Sequence, residues 1–383
     1  MTWSRRRVRT DGMHNGLRMD GCMRILIDMG HPAHVHLFKN FIREMRKRGH
    51  DIKVTARDKD VTRRLLDAYH IPYEIVGKLL PGKFSLYWEW IRRTWKITTI
   101  GREFNADLYI GVLNPATAFS AWINRKVSLT FNDTEHATFA KKITHPFTDY
   151  ILTPSCYSGN IGKKQIRYNG YHELAYLHPQ YFTPNPALLD EIGLKEGDIF
   201  IILRFVSWQA SHDVGQHGLT LDTKRKAIHE FKKYGRVLIT SEKPLPQEFE
   251  KYRISVSPDK MHYLLSYATL LYGESATMAS ECAVLGTHAI FCDFAGRGYT
   301  DEEEEVYDLV YNFKLDESGQ EQSIEKAVTL LQDPNLREKG RQKVKHLLSC
   351  KIDVTAFMVW FVEHYPDSVA IINESPEIQE KFK

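Results

Sequence analysis

The stretch Met23–Asp58, MRILIDMGHPAHVHLFKNFIREMRKRGHDIKVTARD, decides the fold. Its opening run, RILIDM, has the length and apolar character of a buried strand. In HLFKNFIREMRKRG the period changes: Leu37, Phe38, Phe41, Ile42 and Met45 fall on one face of a helix, and Gly49 supplies the stop. DIKVTAR then reads as a second strand. Strand, helix and strand in this order make a βαβ unit, which places the two strands parallel in one sheet. The rhythm continues through DVTRRLLDAYH, YEIV, DLYIGV, VSLTF and YILTP, so residues 23–172 are expected to form one doubly wound, Rossmann-like α/β domain.

The rhythm breaks at residues 173–196, where Pro179, Pro184 and Pro186 disfavour a continuous helix. This segment is read as an interdomain crossover. A second α/β series follows over residues 197–349: strand IFIILRF, helix TKRKAIHEFKKYG, strands RVLIT and RISVS, helix PDKMHYLLSY, strand TLLYG, helix TMASECAVLG and strand HAIFCD. Ser257 before Pro258 is a good helix start. The helix VTAFMVWFVEHY lies within residues 350–366 and needs a surface to cover it, expected to be the first domain; residues 367–383 form a tail.

The chain has 383 residues, 43% hydrophobic and 26% charged, which suits two globular domains. Its net charge of +4 is spread along the sequence, so no nucleic-acid stripe is expected. Five cysteines without a C-x-x-C pair argue against a disulfide framework or structural zinc and for a reducing, cytoplasmic setting. Residues 1–22 carry five arginines and no apolar run, and read as a disordered leader. No segment has the roughly 18 unbroken apolar residues of a spanning helix.

Chemistry is most legible in YGESATMASECAVLG, Tyr272–Gly286. Ser275 can cap the helix that begins there, leaving the N–H groups of Ala276, Thr277 and Met278 to face a diphosphate. Glu281 shares a face with Thr277 and can accept from ribose hydroxyls. An ordinary strand–turn–helix with a serine cap and an exposed glutamate fits the same spacing.

This stretch, with MHYLLSYATLL before it, resembles the nucleotide-binding signature of the GT-B superfamily, which includes the UDP-GlcNAc transferase of lipid II synthesis and UDP-GlcNAc 2-epimerase. The resemblance implies two Rossmann-like domains facing across a cleft. It also implies a turn at Ser275, Ala276 and Thr277 that holds the diphosphate, and a ribose-binding Glu281 ahead of Leu285 and Gly286. The glycines of the family turn are missing, and His288 stands where a proline is usual. MRILIDMGHPAHVHLFKNFIREMRKRGHDIKVTARD, GYHELAYLHPQYF and GYTDEEEEVYDLVYNF are similar to the domain of unknown function 354 family, grouped with GT-B proteins. That likeness implies the fold more strongly than a reaction.

Further candidates lie in loops at strand ends. Gly30, His31, His34 and His36 follow the first strand, where ligands of doubly wound sheets collect; His31 or His34 can serve as general base or phosphate contact. Asp28 alone does not complete a clear metal set with them, and no metal is expected. Asn114, Asp133, Glu135 and His136 end later strands, with Asp133 and Glu135 as acid/base candidates or as turn formers. Arg204 and Ser207, with Ser211 and His212, follow the first strand of the second domain and can neutralise a leaving diphosphate. Two comparisons with 2-epimerases argue against epimerisation: Asn114 stands near an acid of that family, and the histidine after this strand is not reproduced.

Over residues 84–102, Phe84, Trp88, Ile91 and Trp95 recur at helical steps among Arg92, Arg93, Lys96 and Arg102. This is expected to be a core helix with a solvated basic face, the second reading being peripheral contact at the inner face of the membrane. The whole is expected to be a metal-independent glycosyltransferase in polysaccharide biosynthesis. It would move a sugar from a nucleotide diphosphate sugar, UDP-linked, to a cell-surface glycan or lipid-linked acceptor. The alternatives are an epimerase or hydrolase of nucleotide sugars and a non-catalytic nucleotide-sugar-binding protein.

Overall fold

The computed structural model describes residues 21–78, 85–205, 218–241 and 244–383. Most of residues 1–22, together with Phe84, Ser207, Ser211 and His212, lies outside them. Two compact units are formed, one by the chain up to Tyr176 together with Ile352–Lys383, the other by Leu177–Lys351.

The first unit carries β1 (Arg24–Met29), α1 (Pro32–Lys47), β2 (Asp51–Arg57), α2 (Asp60–Ala68), β3 (Glu74–Gly77), α3 (Ser85–Glu103), β4 (Leu108–Val112), α4 (Pro115–Asn124), β5 (Val127–Phe131), α5 (Thr138–Thr144), β6 (Tyr150–Pro154) and β7 (Gln165–Tyr168). A single turn, α6 (Leu174–Leu177), follows β7. All seven strands are parallel, in the order β3-β2-β1-β4-β5-β6-β7. Since both faces are covered by helices, the central strands are apolar almost throughout; β5 and β6 are buried at every residue. The order reverses between β1 and β4, so the switch point lies at their carboxyl ends.

Helix α1 buries Leu37, Phe38, Phe41, Ile42 and Met45, and Gly49 after it takes φ +89. Helix α3 departs from the expected packing. Its polar side faces inward, with Glu89, Arg93, Thr94 and Thr98 buried, while Trp88 and Trp95 are 66% and 70% exposed. Charged partners on the sheet draw Glu89 and Arg93 in, so Arg93 is no part of a solvated face, and Ile97 is the fully buried apolar anchor.

After α7 (Ala187–Glu191), the second unit comprises β8 (Phe200–Arg204), α8 (Leu221–Phe231), β9 (Arg236–Thr240), α9 (Met261–Tyr267), β10 (Leu270–Gly273), α10 (Ala276–Leu285), β11 (His288–Asp293), α11 (Gly298–Glu305), β12 (Val310–Lys314), α12 (Glu317–Leu331) and α13 (Leu336–Cys350). Its sheet is also parallel, in the order β12-β11-β10-β8-β9, with the switch point between β8 and β10. RISVS is not a strand: one bridge, Ile239 to Arg253, is all the pairing described there. Ser257 does not cap the next helix, since its hydroxyl bonds Asp259, and a 3₁₀ turn at Pro258–Lys260 leads into α9.

The chain ends in the first unit with α14 (Val354–Glu363) and α15 (Asp367–Glu374). Thr355 Oγ1 donates to the Ala175 carbonyl at 2.8 Å, and Val354 packs where a side chain at Gly170 would stand. The five cysteines form no disulfide. Among the described residues no helix is long and apolar enough to cross a membrane.

Candidate functional site

Asp28, the penultimate residue of β1, lies at the switch point of the first unit and is fully buried. A buried carboxylate persists only when paired and hydrogen-bonded, and four neighbours meet this one. Thr55 Oγ1 from β2 donates at 2.7 Å, Arg93 Nη2 from α3 at 2.5 Å and Thr117 Oγ1 from α4 at 3.2 Å; Asn114 Nδ2 closes the set. Asn114 Oδ1 meanwhile accepts from Ala116 N at 3.1 Å and caps α4. Asn114 is therefore engaged at both ends of its amide. Beside this cluster Arg57 forks onto Glu89 at 2.9 and 2.5 Å.

Above this floor opens a cavity of about 710 Å³. Gly30, His31 and His34 form one side, Arg57, Arg93 and Asn114 the base, and Trp90, Val112, Leu113, Phe139 and Ile143 apolar walls. Leu113 has φ +38, an uncommon conformation for a residue with a side chain, and its N–H is tied to the Phe131 carbonyl at 3.0 Å. The strained residue thus sits in the cavity wall.

The loop histidines have defined tautomers. His31 Nδ1 accepts from Ala33 N at 3.2 Å, capping α1, and His34 Nδ1 accepts from Gly30 N at 3.2 Å. A neutral imidazole whose Nδ1 accepts carries its proton on Nε2. Both rings therefore present an N–H donor, which suits a phosphate or hydroxyl oxygen better than proton abstraction. Burial, reinforced by His31, His172 and Arg93 and opposed by Asp133, holds the His34 pKa well below the usual histidine value. His36 is buried in α1, stacked on Tyr176 and bonded to the Tyr69 hydroxyl, away from this loop chemistry.

Asp133, after β5, meets a residue that the sequence did not single out. His172 Nδ1 lies 2.9 Å from Asp133 Oδ2, and the histidine is 8% exposed. Burial pulls its pKa down, but the Asp133 charge and hydrogen bond, with Glu173, outweigh this and raise it. Among the described residues its Nε2 is buried without a hydrogen bond, as is the hydroxyl of Tyr168 stacked against the ring. Such orphaned polar atoms call for a ligand or water. Glu135 Oε1 accepts from Ser158 N at 3.3 Å. His136 is exposed. Asp133 and His172 stand in loops 39 residues apart in the chain, so no local pattern could have joined them; the quoted GYHELAYLHPQYF held the histidine without distinguishing it.

In the second unit Arg204 ends β8 directly beside Gly273 of β10, at the switch point. Gly273 is required there because a Cβ would collide with the Arg204 carbonyl. Ser275 caps α10 by accepting from Met278 N at 3.3 Å. Met278 N–H is thereby occupied, a correction to the three-donor expectation. The N–H groups of Ala276 and Thr277, in the first turn, have no carbonyl of their own helix to meet. Glu281 is buried rather than exposed, with Oε1 2.9 Å from His262 Nε2 of α9. One oxygen is held by His262, and a carboxylate has lone pairs for further donors. Gly286 ends the helix at φ +80. Among the described residues, no group of three or more His, Cys, Asp and Glu is placed to hold a metal ion.

The chain belongs to the DUF354 family of proteins of unknown function, whose profile matches residues 23–343. A relative is an uncharacterized protein of Methanocaldococcus jannaschii, 23% identical over 284 residues, which are 70% of this chain and 81% of the relative. Among solved structures, S. aureus MnaA in its UDP co-structure is similar with a TM-score of 0.66 and 10% identity, covering 91% of this chain and 98% of that one. UDP-GlcNAc 2-epimerase of Neisseria meningitidis, bound to UDP-GlcNAc, follows with a TM-score of 0.61, 13% identity and coverage of 92% and 99%. The spinosyn forosaminyltransferase SpnP matches at 0.59, with 10% identity and coverage of 91% and 99%. At these identities the likeness establishes the GT-B fold.

Proposed function

For this DUF354 protein we propose a metal-independent glycosyltransferase that uses a nucleotide diphosphate sugar, UDP-linked, and a lipid-linked or cell-surface glycan acceptor. The observation that carries the reading is the placement of Arg204 beside Gly273 at the switch point of the second unit, where β10 leads into the Ser275-capped start of α10, the helix that carries Glu281. The solved structures that share the fold with UDP or UDP-GlcNAc bound support it.

The second unit holds the donor, with Glu281 accepting from ribose hydroxyls and Arg204 and the α10 terminus facing the diphosphate. The first unit serves the acceptor. His172, held by Asp133 through Nδ1, takes the acceptor hydroxyl proton on Nε2; the Asp133 carboxylate stabilises the resulting imidazolium. The acceptor oxygen bonds to the sugar anomeric carbon as the bond from that carbon to the diphosphate oxygen breaks. The electron pair leaves with the nucleoside diphosphate, whose charge Arg204 and the helix N–H groups neutralise. His31 and His34 donate through Nε2–H to substrate oxygens. Asn114, engaged with Asp28 and Ala116, is not disposed to exchange protons, which disfavours epimerisation.

Thermal shift and calorimetry against UDP, other nucleoside diphosphates and UDP-sugars test the donor site. Wild type should be stabilised by UDP, and Glu281→Gln and Arg204→Gln should each weaken binding by about tenfold or more, the loss of one charged hydrogen-bonding group. No stabilisation by any nucleotide, or equal binding by both variants, refutes the assignment. UDP release from a UDP-sugar without acceptor, abolished by Asp133→Asn, would instead support a hydrolase or epimerase.

A further inference from the structure

Helix α3 packs through both polar and apolar side chains, Ile97 with Trp90 and Ile100 lying against the core. Its inward face is held by polar contacts: Glu89 to Arg57, Arg93 to Asp28, and Thr98 Oγ1 to Ser120 Oγ at 3.1 Å. Its outward face carries Trp88, Ile91 and Trp95 at successive helical steps, all exposed. Large apolar side chains grouped outside a helix mark an interaction surface. Close to them Arg92 and Arg102 are exposed and Lys96 half-buried. From Trp88 to the helix end there are two acidic residues, Glu89, which is turned inward, and the exposed terminal Glu103.

We propose that this outward face of α3 docks on an anionic lipid bilayer. Tryptophan, with an apolar body and one N–H, suits the level of the lipid headgroups. Arginine and lysine lay their stems along apolar surface while their charges reach anionic headgroups. The face therefore combines apolar insertion with a net positive charge, Arg92, Lys96 and Arg102 against Glu103 at the end of the helix, a pairing that a bilayer satisfies at once. Its extent also fits the cavity of the first unit. Trp90 of the same helix and Phe139 of α5 line that cavity, and Phe139 is 75% exposed. The apolar wall thus continues to the surface beside α3, giving an amphipathic molecule held in the membrane a way in. Docking itself does not depend on the transferase reading, because it requires no nucleotide and no turnover.

Sedimentation of the full chain with vesicles tests the proposal, using phosphatidylcholine alone and phosphatidylcholine with about one-third phosphatidylglycerol. Binding to the anionic vesicles, with tryptophan emission shifted to the blue and weakened by salt, is expected. Arg92→Gln with Lys96→Gln should cut that affinity roughly 30-fold, at about 1 kcal/mol for each charge. Trp88→Ser with Trp95→Ser should abolish the emission shift and most of the binding. If the tryptophan variant fails to fold, the charge variant, which alters no fully buried side chain, still decides the matter. A chain that stays in the supernatant with anionic vesicles overturns the proposal, as does binding unchanged in both variants. Self-association that the tryptophan variant removes, without vesicle binding, overturns it as well and assigns the face to a second copy.

Discussion

Removing Arg93 leaves the carboxylate of Asp28 buried with only neutral donors, Thr55, Thr117 and Asn114. The Arg93 to Asp28 contact is 2.5 Å, with 7% and 0% of the two side chains exposed. With charge centres about 4 Å apart and an effective dielectric near 20, the attraction is about 4 kcal/mol. Breaking one partner of such a pair costs about 3–5 kcal/mol, and the three neutral hydrogen bonds place Arg93→Met near the low end. Asp28→Asn should cost a similar amount, because it strands the guanidinium. The double variant should lose far less than the sum, giving a coupling of about 3 kcal/mol. Urea denaturation followed by tryptophan fluorescence reads this in the correct unit: of the seven tryptophans in the chain, Trp88, Trp90, Trp95, Trp122 and Trp360 all belong to the first. A coupling below about 1 kcal/mol, the range of exposed pairs, would refute the reasoning that the cavity floor is a buried ionic cluster.

Two further predictions concern the second unit. His288 is buried against Tyr311, and burial, aided by Lys343, lowers its pKa to about 4. With an unfolded value near 6.5, the native state binds fewer protons. Stability is thus fully present above about pH 6.5 and lost as pH falls toward 4; thermal melts should show about 2 kcal/mol of loss from pH 7 to 5, reduced in His288→Phe. Ser275→Ala removes the α10 cap and should cost about 1 kcal/mol, read by the same melts. Its nucleotide affinity should change little, since the variant releases the Met278 N–H to face the ligand; a collapse of UDP binding would instead give the serine hydroxyl a direct role.

What could be read from the chain alone follows from periodicity. Leu37, Phe38, Phe41, Ile42 and Met45 repeat as a helix must to bury one face, and RILIDM is apolar because a central parallel strand is covered on both sides. These local patterns determine the βαβ order, and with it the strand ends where Asp28, Asn114, Asp133, Arg204 and Ser275 stand. Patterns of this kind report burial, not pairing. RISVS alternates like a strand, yet its residues are at most half-buried and a single bridge is described there.

The assignment of charged groups needed tertiary structure. A tryptophan stripe implies a buried face only while nothing polar competes for the interior. In α3 Asp28 and Arg57 compete successfully, because a carboxylate or guanidinium in a low-dielectric setting must find an opposite charge, and Arg93 and Glu89 supply it. His172 becomes the partner of Asp133 for a similar reason, and Glu281 gains His262 once α9 packs beside α10. Sequence determines which residues reach the strand ends. Which of them meet is decided by long-range burial, since the energy of a charge depends on neighbours that the chain brings together only on folding.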